Sequence, residues 1–286
     1  MSTDGDRPRN EIFGAPNIGN DPIPRVNVMR DDFGWEVPVE TVPVPSQGKI
    51  YPPNSPLYGA QTIDIRAMTA REEDILTSRA LLKKGTVITE LIESCLIDDR
   101  VRSRDLIVGD RNALMISIRI TGYGQMYSTR ASCPKCNSTT SHEFNLAELG
   151  IKPLEVEPVI EGENRFEFTL PVTKKKVEFK FLTGADEEEM ATEAEKMRLL
   201  LPDMKTENTV TRRLEKTVLS VDGITDRNKI KTFVNSMPAL DSRKLRTYMT
   251  DNEPGVDMST VLECNSCGAS SKIQLPLGTG FFWPGS

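Results

Sequence analysis

The chain is poor in histidine, in cysteine and in long apolar runs, and each shortage removes a class of function. His142 is the single histidine among 286 residues. A Ser/His/Asp group therefore has no second candidate base, and no G-x-x-x-x-G-K-[ST] phosphate loop stands in its place. No enzyme and no small-molecule substrate are expected. No stretch of about 18 apolar residues occurs, so no membrane-spanning helix and no membrane partner are expected. The opening residues 1–6 are neither basic nor apolar, so no secretory signal is expected. A net charge of −6 withholds the generic attraction to polyphosphate on which nucleic-acid binding depends.

Only five cysteines are present, yet four fall into two C-x-x-C pairs, Cys133-Pro134-Lys135-Cys136 and Cys264-Asn265-Ser266-Cys267. Each pair offers two thiolates one short turn apart, and four thiolates form the tetrahedral soft-ligand set that Zn²⁺ prefers. Cys133, Cys136, Cys264 and Cys267 are the expected ligands of one zinc ion, and a filled Cys₄ shell leaves no open position for catalysis. Thiol-disulfide exchange is the competing chemistry, but neither pair opens a helix after a strand. Short extended runs flank both pairs, 125–132 and 138–144 around the first, 258–263 and 269–275 around the second. Hairpin, knuckle, hairpin is the pattern of a zinc ribbon. Gly268 suits a tight knuckle, and Pro134 fixes one φ angle of the other. A compact ribbon spaces its pairs by roughly 15–20 residues, whereas residues 137 to 263 intervene here. The metal is thus expected to clamp the ends of a long insertion and hold it as a rigid projection. Cys95 shares helical spacing with Leu91 and Ile92 and reads as a buried structural thiol. His142 reads as a strand residue of the ribbon.

The expected fold class is α+β, in five parts. Residues 1–60 hold ten of the nineteen prolines, which break any ladder, so they predict an extended arm ordered against another surface. Its aromatics, Phe13, Phe33 and Trp35, are candidate partner contacts. Residues 61–124 predict a helical domain. A capping box at Thr69 and Glu72 opens a helix that runs to Lys84 with Gly85 as its stop, a second follows through Leu91 and Cys95, and Asp110 N-caps a third. Residues 125–150 and 256–280 form the ribbon. The insertion, 151–255, predicts a hairpin from the alternating runs 165–170 and 176–181. Helices over 186–201 and 209–221 follow, then one capped by Asp226 and one capped by Asp241 or Ser242. Residues 281–286 end the chain with Phe281, Phe282 and Trp283, which need a pocket, either on the ribbon or hairpin or on a partner.

The run Ile65-Arg-Ala-Met-Thr-Ala-Arg-Glu-Glu-Asp-Ile-Leu76, followed by Lys83-Lys-Gly-Thr-Val-Ile88 and Asp110-Arg-Asn-Ala-Leu114, resembles the baseplate hub protein family of T-even-like contractile-tailed bacteriophages. So does the later order of C-x-x-C, long insertion, C-x-x-C and a Phe-Phe-Trp-Pro end. The resemblance covers about residues 60–145 and 255–286. It implies a structural or assembly role in a phage baseplate, assembled in the host bacterial cytoplasm, with other baseplate and tail proteins as partners. Two roles follow: a permanent virion component of the hub or wedge-hub junction that contacts neighbours through its termini, or an assembly factor absent from the mature virion. A zinc-ribbon nucleic-acid regulator is the third reading, disfavoured because neither knuckle carries a basic patch.

Overall fold

The computed structural model describes residues 28–30, 36–200, 209–275 and 279–282, and it mixes helix and sheet as an α+β chain does. Three antiparallel strands open it: β1 (Val28–Arg30), β2 (Glu36–Pro43) and β3 (Thr62–Arg66), with β2 in the centre. The stretch between β2 and β3 corrects the expectation of an arm reaching outward over its whole length to residue 60. Val44, Ile50, Tyr51 and Leu57 are buried in the chain's own core. Pro38 and Pro43, expected to break any ladder, lie inside β2 opposite Val28 and Thr62, and the prolines beyond it stand at turns: the Ser55 amide donates to Pro52 O at 2.8 Å and Gly59 to Gly48 O at 3.1 Å. Gly48 is required at this crossing, since it has φ +68° and a Cβ on it would lie 2.3 Å from the Ala60 nitrogen.

Helices α1 (Ala70–Thr77), α2 (Arg79–Lys84), α3 (Val87–Cys95) and α4 (Val108–Tyr123) follow. The single helix expected from Thr69 to Lys84 is broken at Ser78, which is extended and whose hydroxyl accepts from Leu81 N at 3.5 Å. Thr77 turns its own hydroxyl back on the Glu73 and Asp74 carbonyls, so two adjacent hydroxyls compete with the helix ladder. Gly85 ends α2 in the left-handed region, as its position predicts. Glu72 is fully buried and reaches back to the Thr69 amide at 2.8 Å while Arg66 and Ser94 grip its other oxygen at 2.7 and 2.6 Å. Burial opposes its charge, but these donors outweigh it and hold the carboxyl at about 2.

Helix α4 is the central element, buried along Ala113–Arg119. It starts before Asp110, so Asp110 is not its N-cap. The carboxylate turns away from its own helix and accepts from Ser46 N (2.9 Å), Ser46 Oγ (2.6 Å) and Tyr51 Oη (2.6 Å), which fastens the proline-rich loop to α4. Cys95, the last residue of α3, is fully buried, and burial pushes its thiol up to about 12.

Strands β4 (Met126–Ser132) and β5 (Thr139–Asn145) form the first knuckle hairpin, and β6 (Gly150–Lys152) leads into the insertion. There β7 (Phe166–Thr169) and β8 (Lys176–Phe179) pair as their alternation predicts. Helix α5 (Gly184–Leu200) and helix α6 (Thr209–Thr217) come next. The helix expected to reach Val221 stops four residues earlier. Val218–Val221 forms β9 instead, an edge strand on β8 that buries Val218 and Val221 against the sheet, where β-branched side chains fit well. Helix α7 (Arg227–Ser236) is capped as predicted, with Asp226 Oδ1 accepting from Asn228 N and Lys229 N at 2.9 and 3.0 Å. Helix α8 (Ala239–Asn252) starts at Pro238, and Asp241 lies inside it. Its carboxylate accepts instead from Val172 N, Thr173 N and Thr173 Oγ1 at 2.7 to 3.0 Å, tying the β7–β8 turn to α8.

The chain then returns through β10 (Gly255–Asp257), which pairs with β6, and through the second hairpin, β11 (Ser259–Glu263) and β12 (Ser270–Gln274), to a 3₁₀ turn at Thr279–Phe282. The insertion is not a projection from the ribbon. The Val108 amide donates to Leu182 O and Gly184 to Leu106 O, both at 2.9 Å, while Leu154 donates to Pro45 O at 3.0 Å. Side chains from the first sheet, the helices, both hairpins and the insertion share one apolar core.

Candidate metal centre

Each knuckle is built the same way from its own backbone. In the first, Cys133 N donates to Ser138 O at 2.9 Å and Asn137 N to Cys133 O at 2.9 Å; in the second, Cys264 N donates to Ala269 O at 3.0 Å and Gly268 N to Cys264 O at 2.8 Å. Both turns close on the residue after the second cysteine in the left-handed region, Asn137 at φ 56° and Gly268 at φ 66°. Glycine and asparagine are the residues that tolerate this conformation most readily. The lead cysteines, Cys133 and Cys264, are buried, and the trailing ones, Cys136 and Cys267, are exposed.

The four sulfurs lie within 4.8 Å of one another. Cys133 Sγ is 3.9 Å from Cys267 Sγ, and Cys136 Sγ is 3.7 Å from Cys264 Sγ. A tetrahedron with Zn–S bonds near 2.3 Å has edges of about 3.8 Å, so these separations suit four thiolates on one ion. They are far beyond the roughly 2.05 Å of a disulfide. The fold thus brings together four residues from positions 128 or more apart across the pairs.

Electrostatics also suit a cation. Ser138 Oγ stands 3.0 Å from Cys136 Sγ and 3.4 Å from Cys264 Sγ, bridging the two knuckles. That hydroxyl, helped by the Cys267 and Ser266 amides, pulls the Cys264 thiol down to about 5, and Ser138 lowers Cys136 as well. For Cys267 the Ala269 amide favours the thiolate, but the crowding sulfurs of Cys136 and Cys264 outweigh it and hold the thiol at about 12. Four sulfurs this close cannot all ionise against one another without a multiply charged partner. Ser138 is the residue that the sequence reading passed over; its place directly after the first knuckle was the available signal.

The expected partner contacts fare differently. Phe13, Phe33, Trp35 and Trp283 lie outside the described residues. Phe281 and Phe282 are fully buried in their own chain, which corrects their reading as partner contacts. Phe281 meets Tyr127 edge-on with ring centroids 5.1 Å apart, and Phe282 meets Phe281 at 5.4 Å. Arg119, also buried, holds this turn: its Nε donates to Phe281 O at 3.0 Å, and its Nη atoms donate to Gly124 O at 2.8 Å and Met126 O at 3.2 Å. His142 sits on β5 opposite Thr129 and is not among the clustered ligands.

No curated protein and no solved structure matches the chain. The family model described as T4 bacteriophage base plate protein matches residues 39–283, from the second strand through both cysteine knuckles to the C-terminal aromatics, and the chain belongs to that family.

Proposed function

We propose that this protein is a permanent structural component of the baseplate, at the hub or the wedge-hub junction, and that Cys133, Cys136, Cys264 and Cys267 hold one structural zinc ion. Membership of the family makes it a phage tail baseplate protein whose partners are other tail or baseplate proteins, and it speaks for a scaffolding role and not a catalytic one. The observation that carries the zinc reading is the four-sulfur cluster at tetrahedral spacing. Such an ion would have a defined task. Hairpins β4–β5 and β11–β12 are separate two-stranded sheets with no ladder between them, and a lone hairpin is marginally stable in water. Zinc would bond the two knuckles directly and contribute folding free energy where most residues of the hairpins are exposed or half-buried. The exposed trailing cysteines put the ion near the surface, so it would fix the hairpins' outer faces relative to the core.

Two measurements test this reading. Elemental analysis of the purified chain is expected to find one zinc per protein. Quantitative mass spectrometry of purified phage particles is expected to find the chain in fixed ratio to other baseplate proteins; its absence from mature particles would favour the assembly factor.

A further inference from the structure

Helices α7 and α8 carry six basic side chains, Arg227, Lys229, Lys231, Arg243, Lys244 and Arg246, against two acids, Asp241 and Asp251, in a chain whose net charge is −6. Asp241 is buried and committed to the β7–β8 turn, so it neutralises nothing at the surface, and Asp251 stands in the last turn of α8, beyond the stretch that carries Arg243, Lys244 and Arg246. Arg227 donates to the Val218 carbonyl at 2.8 Å. The other five are exposed and make no hydrogen bond or ion pair with a described residue. On α8, Leu240 shares a face with Arg243 and Lys244 at the i+3 and i+4 positions. Leu240 is 44 % exposed, and Val172, whose amide binds the neighbouring Asp241, is 49 % exposed. The face thus has uncovered apolar side chains beside unpaired cations.

The complement lies in the same chain. Residues 155–163 contain Glu155, Glu157, Glu161 and Glu163 and no basic residue. Lys49 and Arg165 answer Glu157 and Glu163 only at partly exposed positions, at 3.2 and 3.6 Å. Here too apolar groups are uncovered: Tyr58 at 42 %, Val159 at 43 % and Ile160 at 48 % exposed. This loop enters β7 at the open end of the β7–β8 hairpin, whereas Val172 lies in its closed turn. The acidic loop therefore lies at the open end of the hairpin, and the Leu240–Val172 part of the basic face at its closed turn, about 13 Å of strand apart.

We propose that the basic α7–α8 face docks the acidic 155–163 loop of a second copy of this chain, head to tail. A contact between two different faces repeats from copy to copy and closes into a ring when the rotation permits. Nucleic acid fits the cations less well. Tyr248 packs on Phe168 and Phe179, with centroids 4.6 and 6.0 Å apart, and offers no free ring for stacking a base. The N-terminus of α7, where a phosphate would bind, already holds the Asp226 carboxylate. The docking is independent of the metal and goes beyond the proposed scaffolding role by naming a partner.

Sedimentation velocity of the full-length protein tests it. Self-association is expected at about 0.05 M NaCl and is expected to weaken about tenfold or more at about 0.5 M, where screening shortens to a few ångströms. Arg243→Glu with Arg246→Glu, and separately Glu161→Lys with Glu163→Lys, are each expected to give a monomer with unchanged melting. Mixing the two variants is expected to restore association, because each reversed face then meets its reversed counterpart. A wild-type chain monomeric at every salt concentration would overturn the proposal, as would association indifferent to both reversals. Salt-sensitive binding of a labelled DNA duplex, lost in the arginine variant while the protein stays monomeric, would replace it with a nucleic-acid surface.

Discussion

Gly109 and Pro254 meet backbone to backbone: a Cβ placed on Gly109 would lie 1.8 Å from the Pro254 carbonyl oxygen. The start of the central helix α4 is thereby set directly against the exit of the insertion. The approach is possible only because Gly109 has no side chain, and it places β10 where it can pair with β6. Through this contact the chain leaving the insertion closes on the core next to Val108, whose amide holds Leu182 just past β8.

Gly109→Ala is therefore expected to be destabilising despite alanine's better helix propensity. The backbone of Pro254 cannot swing aside as a side chain would, so overpacking of about 1–3 kcal/mol or more should outweigh the roughly 1 kcal/mol gained in helix propensity. Denaturant unfolding at neutral pH measures the difference. A more stable variant would show that α4 and β10 are free to separate.

Cys264→Ser with Cys267→Ser is expected to abolish zinc binding and to loosen both knuckle hairpins. The core should stay folded, because β6–β10 pairing and the shared apolar cluster do not depend on the metal. Hydrogen exchange should accelerate in β4, β5, β11 and β12 with little change in α4. Ser138→Ala should weaken metal retention against a chelator about tenfold, the scale found for groups that orient metal ligands.

Arg119→Ala would leave the carbonyls of Phe281, Gly124 and Met126 without their shared donor in a buried site. The expected loss is about 2–4 kcal/mol, the scale for buried carbonyls left without a donor. Arg119→Lys keeps the charge but not the planar fork, so it should recover only part of that. Carboxypeptidase digestion should reach past Phe282 in the alanine variant and stop before it in wild type.

Asp110 supplies a pH dependence with a definite sign. Burial raises its carboxyl to about 6, against an ordinary 3.8, even though Ser46 and Tyr51 donate to it. Its contribution to stability is therefore fully present below pH 3.8 and is lost as the pH rises through about 6. Glu72 acts oppositely: held at about 2, it contributes above its ordinary 4.5, and that contribution is lost as the pH falls. Comparison of wild type with Asp110→Asn isolates the first group. Between about pH 4 and pH 7, wild type should lose on the order of 2–3 kcal/mol relative to the variant. A change of the other sign would mean that the three donors outweigh burial.

Local chemistry was legible where a residue acts on its own neighbours. Asp226 caps the helix it precedes, Gly85 stops α2, and the alternation of 165–170 and 176–181 makes a hairpin, because each depends on a few adjacent amides or on side-chain period. Two other aspartates with the same local credentials lie inside their helices and cap neither. Asp110 and Asp241 look like N-caps, but their carboxylates serve Ser46 and Tyr51 in one case and the β7–β8 turn in the other. Nothing nearby in sequence marks those long-range partners. Val218 likewise continues a helical pattern until β8 offers it a sheet edge.

The sequence by itself determined the cysteine chemistry, since two C-x-x-C pairs define a soft four-sulfur set whatever lies between them. It also determined the α+β class through its two side-chain periods. Only the tertiary structure decided what those parts do to one another. Phe281 and Phe282 fill the chain's own interior because Arg119 gathers three backbone carbonyls around them, and the long insertion packs onto the core because Gly109 admits Pro254. Buried contacts between distant residues depend on three-dimensional fit, and fit is a property of the assembled core that no short stretch of sequence carries.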